Sequence, residues 1–284
     1  MNKTFLLVLA CFSLMITGCA QNDYVVTIKT KYGDMVAILY DETPKHKENF
    51  IKLASEGYYD SLLFHRVIQG FMIQGGDPDS RKASAGQPLG NGGPGYTIPP
   101  EFNAKLFHER GALAAARLGD AMNPKKESSG SQFYIVQGRL HTREQLLIDQ
   151  QKYGQALQRF FQNADNKVYF DSVNAFFQAR DEQGYNAFMQ RLRPVVEEQL
   201  GISVEREVDP RAVEVYTTVG GTPQLDGEYT VFGKVIAGLE VIDEIASQPR
   251  GPADRPVEDV RMTVVVEKMS RKAIEKKYGY QYPN

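Results

Sequence analysis

Apolar positions change their spacing several times along the chain. Val25–Lys29 and Met35–Leu39 are β-rich runs joined by Thr30–Asp34, whose Gly33-Asp34 step predicts a hairpin. Thr43-Pro44 predicts a helix start, with Thr at the N-cap and Pro in the first turn. Phe50, Leu53 and Ala54 then share one helical face, and Gly57 ends the element. Between Leu63 and Val136 no helical period outlasts a turn. Leu63–Ile68, Phe71–Gly75, Gly111–Arg117 and Gln132–Val136 read as strands between loops rich in Gly and Pro.

At Leu140 the texture changes. Residues 140–217 hold ten Gln and three Gly, against fourteen Gly in 24–139, so a loop-rich segment gives way to a helical one. Thr142 with Gln145 forms a capping box, and Leu146, Tyr153, Leu157, Phe160 and Phe161 follow at helical spacing. Val168–Arg180 and Tyr185–Leu200 predict two more amphipathic helices, and Asp209-Pro210 starts a short fourth. Strand texture returns at Thr230–Val235 and Met262–Lys268, around a short helix at Glu240–Ala246. The expected organisation is one β-rich domain, 24–139 and 217–270, interrupted by a helical insertion at 140–216. Its two halves should be neighbours in space. A basic tail, 271–284, closes the chain, with Arg271–Lys277 read as a solvated helix end and contact with a membrane surface as the second reading.

Composition narrows the function. Hydrophobic residues make up 42% and charged residues 24%, which is ordinary for a packed domain. Lys and Arg number 33 against 35 Asp and Glu, so the chain lacks the basic surplus of a nucleic-acid binder. The two cysteines, Cys11 and Cys19, both fall in the first twenty residues, which leaves no disulfide framework for the body. Lys3 precedes the apolar run Phe5–Ile16, which is too short to span a bilayer and reads as a secretory signal. Ile16-Thr17-Gly18-Cys19 resembles the lipobox of bacterial lipoproteins. That resemblance implies a signal peptide at 1–18, lipidation of Cys19, a short tether at 19–23 and an exported protein anchored to an envelope membrane. Ala20, where an inner-membrane protein usually carries Asp, favours the outer membrane.

Several chemistries drop out. Gly90-Asn91-Gly92-Gly93-Pro94-Gly95 fits the dinucleotide spacing, but Pro99-Pro100 follows where the fingerprint needs a helix. No Gly-x-Ser-x-Gly elbow is present, and His46, His65, His108 and His141 lack metal-ligand spacing. No metal and no cofactor are expected. By strand parity, Arg66, Met72 and Gln74 share a face, as do Gln132 and Tyr134. Such a set makes either an amphipathic groove for an apolar peptide residue or ordinary core beside a salt-bridged arginine, and parity alone does not choose.

The stretch Phe64-His65-Arg66-Val67-Ile68-Gln69-Gly70-Phe71-Met72-Ile73-Gln74-Gly75-Gly76-Asp77 resembles the signature of cyclophilins, the peptidyl-prolyl cis/trans isomerases. The likeness continues through Gly92–Phe102, Gly111–Arg117, Ser129–Ile135 and Leu225–Val235 in the family's order, and it omits the helical insertion. It implies a mainly β fold: a closed, antiparallel, eight-stranded cyclophilin-like barrel with two capping helices, plus the α-helical insertion. It implies Arg66, Phe71 and Gln74 as the catalytic set. Met72, Ala116, Arg117, Gln132, Tyr134, Leu225 and Tyr229 become the substrate-binding set. Proline-containing segments of unfolded or secreted proteins become the substrates. The alternative is a non-catalytic platform for such segments.

The chain departs from the family pattern at Gln224, where a tryptophan is usual, at Tyr229 for histidine, at Tyr134 for phenylalanine and at Arg117 for a smaller polar residue. The loop Leu118–Ser128 is also longer, and basic at Lys125-Lys126. These changes imply altered substrate preference and weak or no binding of cyclosporin-type macrocycles. The insertion leaves after Tyr134 and returns before Leu225, so it should stand near the groove. Its removal should spare short-peptide isomerisation while changing activity on unfolded proteins.

Overall fold

Val26 and Ile28 alternate with Val25 and Thr27 along β1 (Asn22–Thr30), and this alternation gives the strand two different faces. In the computed structural model, which describes residues 21–282, the inward set lies in the main core, while Val25 packs outside with Ile38 and Ile274. The leader and Cys19 lie outside the described residues. β1 begins at Asn22, inside the stretch expected to be a tether, and Asp23 is buried against the Lys47 ammonium at 2.7 Å.

Seven further strands complete a ring: β2 (Gly33–Leu39), β3 (Leu62–Ile68), β4 (Met72–Gly75), β5 (Ala112–Ala115), β6 (Phe133–Val136), β7 (Val231–Ala237) and β8 (Arg261–Ser270). Their order is β1-β8-β3-β4-β6-β5-β7-β2 and back to β1, a closed barrel with every pairing antiparallel. The ring closes between β8 and β3 through a short contact, with Arg261 opposite Leu63 and Met262 opposite Leu62. Two helices stop its ends. α1 (Pro44–Ser55) contributes Phe50, Leu53 and Ala54 to the barrel core, as the spacing predicts, and α7 (Leu239–Ala246) contributes Val241, Ile242 and Ile245. Each of these larger side chains is worth about 1.5–3 kcal/mol when fully buried.

Thr43 and Pro44 stand where the sequence places them, but Thr43 makes no side-chain cap. The orphan amides of α1 are taken instead by Glu101, whose carboxylate accepts from Lys45 N at 3.1 Å and His46 N at 3.0 Å. A carboxylate serves a helix N-terminus better than a hydroxyl because it also meets the positive end of the dipole.

β3 carries a bulge. Phe64 pairs with Gly75 and Arg66 with Gln74, so His65 is an extra residue on its strand. Leu62 and Phe64 point into the core, and after the bulge Val67 does so instead. The slip turns Arg66 outward; unbroken alternation from Phe64 would have sent it inside.

The insertion forms α2 (Arg143–Leu147), α3 (Gln150–Phe161), α4 (Lys167–Ala179), α5 (Glu182–Leu200) and α6 (Pro210–Thr218). The capping box at Thr142 and Gln145 is present, and Asp209 caps α6 ahead of Pro210. Tyr153, Ala156, Phe160, Leu192, Val196 and Val204 give these helices a core of their own. Where the segment leaves and returns, Arg139 and Gly221 exchange backbone hydrogen bonds of 2.9 and 3.3 Å. A side chain on Gly138 would collide with the Gly221 backbone, so glycine is needed for the two stems to touch.

The basic run near the C-terminus is a helix, α8 (Arg271–Tyr278), and it is not simply solvated. Ile274 is fully buried against Val25 and Ile38, and the Arg271 guanidinium reaches Asp41 at 2.6 Å. Ile274, with Tyr278 of the same helix packed against that cluster, folds the run back onto the barrel. Among the described residues, no helix is long and apolar enough to cross a membrane.

Candidate functional site

Strands β4, β6 and β5 lie side by side, and their outward residues form a second apolar cluster on the barrel wall. β4 supplies Met72, β6 supplies Tyr134, and β5 with the residue after it supplies Ala112, Ala114 and Ala116. A row of alanines beside larger side chains leaves a depression. Phe71, Leu225 and Tyr229 wall it, and Arg66, Gln74 and Arg117 add polar groups to the lining of a cavity of about 110 Å³. Residues drawn from four separate stretches of sequence thus meet at one concave place, as the resemblance implies. Gln132 does not line the cavity, but it is tied to Gln74, which does.

The polar edge is a relay of amides. Arg66 Nη1 donates to Gln74 Oε1 at 3.4 Å, and Gln74 Nε2 donates to Gln132 Oε1 at 3.2 Å. Gln132 Nε2 then donates to the carbonyls of Gly90 and Gly92 at 2.9 and 2.7 Å. The amides of the same two glycines donate to the buried Asp77 carboxylate at 2.5 and 3.3 Å. The glycine-rich loop is therefore a brace for this edge, and a short strand at Thr97–Ile98 follows it, not a helix. Asp254 sits 3.7 Å from Arg66 Nε, on a loop where Ala253 and Asp254 both have positive φ. Both side chains of that pair are more than a third exposed, so solvent weakens the pairing and Arg66 keeps donors free to face the cavity.

Arg117 is placed in the wall but is committed elsewhere. Its guanidinium donates to the Glu228 carbonyl at 2.8 Å, the Leu118 carbonyl at 3.0 Å and the Asp120 carboxylate at 2.5 Å. It also covers the Tyr229 ring at 4.6 Å. It acts as a strut for Tyr229, which meets Tyr134 edge-on at 5.9 Å. Gln224, next to Leu225, is exposed.

Beneath the wall runs a chain of polar groups that the sequence did not announce. Tyr134 OH lies 2.9 Å from His108 Nε2, and His108 Nδ1 lies 2.9 Å from Asp226 Oδ1. Asp226 Oδ2 accepts from Tyr216 OH at 2.6 Å. Burial raises the Tyr134 phenol well above its usual range. Burial, with the Asp226 charge beside it, does the same for Tyr216, so both hydroxyls keep their protons. An Asp226 carboxylate accepting from Nδ1–H leaves Nε2 to accept from Tyr134. Of its four members, only Tyr134 stood among the residues that the resemblance implied for the site.

His65, at the bulge, is buried with neither ring nitrogen partnered among the described residues, and burial pushes its imidazole down to about 4. The folded state therefore holds the ring neutral, whereas the unfolded chain protonates it below about pH 6.5. Stability from this group is complete above pH 6.5 and is lost as pH falls toward 4, by about 3 kcal/mol in all. Urea unfolding from pH 7 to 4 should show this loss, and a His65→Leu variant should show a shallower decline. Parallel declines in the two proteins would remove His65 from the account.

Comparison with known proteins adds independent information. The family model for the cyclophilin type peptidyl-prolyl cis-trans isomerase matches residues 25–157 and 160–267. A Staphylococcus saprophyticus protein provisionally named a peptidyl-prolyl cis-trans isomerase is 30% identical over 243 residues, covering 84% of this chain and 89% of its own. A longer Streptococcus pyogenes protein, provisionally named a bifunctional phosphatase/peptidyl-prolyl cis-trans isomerase, is 34% identical over 239 residues, and the match spans 37% of it. A crystal structure of a Cryptosporidium parvum cyclophilin type isomerase superposes with a TM-score of 0.51 at 23% identity, covering 87% of this chain and 98% of the other. That last likeness is one of fold. The same protein has also been crystallised in the presence of the dipeptide Ala-Pro.

Proposed function

The chain belongs to the cyclophilin-type peptidyl-prolyl cis-trans isomerases, and we propose that it rotates X–Pro bonds at the Arg66 pocket in unfolded secreted or envelope proteins. The observation that carries this reading is the meeting of Arg66, Phe71, Met72, Gln74, Tyr134 and Leu225 around one cavity with a cationic edge and an apolar floor.

Rotation about an X–Pro bond is opposed by about 18–20 kcal/mol, because the nitrogen lone pair is delocalised into the carbonyl. A twisted bond localises that pair on nitrogen. Arg66, always charged and partly free, donates toward the localised pair and so favours the twisted state over either planar one. Met72, Tyr134 and Leu225 clamp the ring while the preceding carbonyl swings, and Gln74, braced by Gln132, holds the neighbouring peptide backbone. The crystallisation of a relative in the presence of Ala-Pro is consistent with such a dipeptide unit as the recognised element. Export and lipid anchoring at Cys19 rest on the Ile16–Cys19 motif, and they place the substrates outside the cytoplasm.

The test is catalysed cis/trans exchange on a short Xaa-Pro peptide, followed by NMR. The protein should begin before Asn22, so that Asp23 can meet Lys47. Exchange no faster than in buffer alone would overturn the reading. A second expectation follows from the exposed Gln224: cyclosporin should inhibit weakly. An indole at an interface centre is typically worth about 2 kcal/mol, so Gln224→Trp should tighten inhibition by roughly thirtyfold. An unchanged inhibition constant would show that this residue is not what limits binding.

A further inference from the structure

We propose that Tyr216, which belongs to the helical insertion, is a positioning residue of the proline pocket, acting through Asp226 and His108 on Tyr134. The inference rests on the reading that the Arg66 cavity is where the peptide binds.

Three facts carry it. First, the chain Tyr216 OH, Asp226, His108, Tyr134 OH is continuous, with separations of 2.6, 2.9 and 2.9 Å. Second, it is buried nearly throughout. His108 is wholly buried, Tyr216 and Tyr134 almost so, and only Asp226 reaches solvent in part. In such surroundings a lost donor is not replaced by water at equal cost. Third, each end is fixed to something different. Tyr216 is the last buried residue of α6 and accepts His141 N through its carbonyl at 3.0 Å, at the stem of the insertion. Tyr134 is the floor of the cavity.

Asp226 is the pivot. Its Oδ1 takes both the backbone N and the ring Nδ1 of His108, and Tyr216 alone holds Oδ2 among the described residues. Without the Tyr216 hydroxyl, Oδ2 is free to turn toward solvent, and the carboxylate rotates about the side chain that orients His108. The imidazole then loses its fixed plane, and with it the acceptor that sets the Tyr134 ring. Leu225, bonded to Asp226, is drawn along on the opposite wall. The pocket stays open, but its width is no longer held at the size of a pyrrolidine ring.

This alters the expectation for the insertion. Removing 140–216 deletes Tyr216 as well, so such a truncation should weaken short-peptide handling and not spare it.

The experiment is NMR exchange across a range of Xaa-Pro peptide concentrations, on the wild type, Tyr216→Phe, Tyr134→Phe and the double variant. The peptide dissociation constant is read from chemical-shift titration of the same samples. Tyr216→Phe should raise KM and the dissociation constant about fivefold, with kcat within twofold, and should shift the Tyr134 ring resonances. In the Tyr134→Phe background the same change should add less than twofold, because the chain is already cut at its other end. A Tyr216→Phe protein with unchanged KM and dissociation constant would overturn the proposal, even if its melting temperature fell. So would full additivity in the double variant. If the wild type fails to catalyse exchange, the functional reading fails instead, and the titration still reports whether Tyr216 shapes the pocket.

Discussion

Replacing Arg66 with alanine should slow catalysed X–Pro exchange about a hundredfold or more, the usual cost of removing one preorganised donor from a charge-stabilising site. The loss should fall mainly on kcat, since the donor is most needed when the nitrogen lone pair is localised. Stability should change little, because the side chain is 39% exposed and its only ion pair among the described residues is the long one to Asp254. Arg66→Lys should recover only a small part of the rate. A lysine keeps the charge but is a point donor, and it does not reproduce the planar fork that bonds Gln74 while facing the cavity. The measurement is exchange spectroscopy on one peptide with matched protein concentrations. A rate for Arg66→Ala within threefold of wild type would remove Arg66 from the chemistry and leave the pocket a binding site alone.

One residue before Tyr134, Phe133→Ala should produce the opposite division of effects. Phe133 points into the barrel, where its ring meets Phe50 at 5.4 Å, Tyr59 at 5.6 Å and Phe64 at 6.3 Å, all edge-on. Emptying that space should cost about 3–5 kcal/mol. In a domain of this size the melting temperature should fall by roughly 10 °C. Well below the new midpoint, peptide exchange should stay within a few fold of wild type, since Tyr134 keeps its hydroxyl partner on the other face of the strand. Denaturant titration gives the stability loss directly, and a loss under 1 kcal/mol would mean that the aromatic cluster closes over the gap.

The contrast between these neighbours also marks what the sequence could and could not express. The apolar run Phe133–Val136 is visible as a strand in the letters, and so are the helical spacing of Phe50 and Leu53 and the capping box at Thr142. These are local patterns, and the structure follows them. The pocket residues were legible through the resemblance, whose ordered motifs name positions that no spacing rule could join. The bulge at His65 was not legible. It depends on Gly75 and Gln74 across the strand pair, and without it Arg66 would face the core. The use of Glu101 in place of Thr43 to cap α1 joins residues 55 positions apart. The His108 chain was hidden for the same reason: its four members come from β6, a loop, α6 and the segment after it. Its hydrogen bonds depend on how those pieces dock, which no local window contains.

The seam of the barrel lies between β1 and β8, where Val26 stands opposite Val266, about 240 residues further along. Val25–Ile28 pairs on one side with β2, and until β8 joins the other side that edge is open to any strand it meets. The parts of the pocket, down to Tyr229, are all made about thirty residues before β8 begins. The last strand contributes nothing to the cavity, yet the ring that aligns the cavity closes only when that strand arrives. An isomerase of this build therefore depends on a slow, long-range pairing for its own assembly.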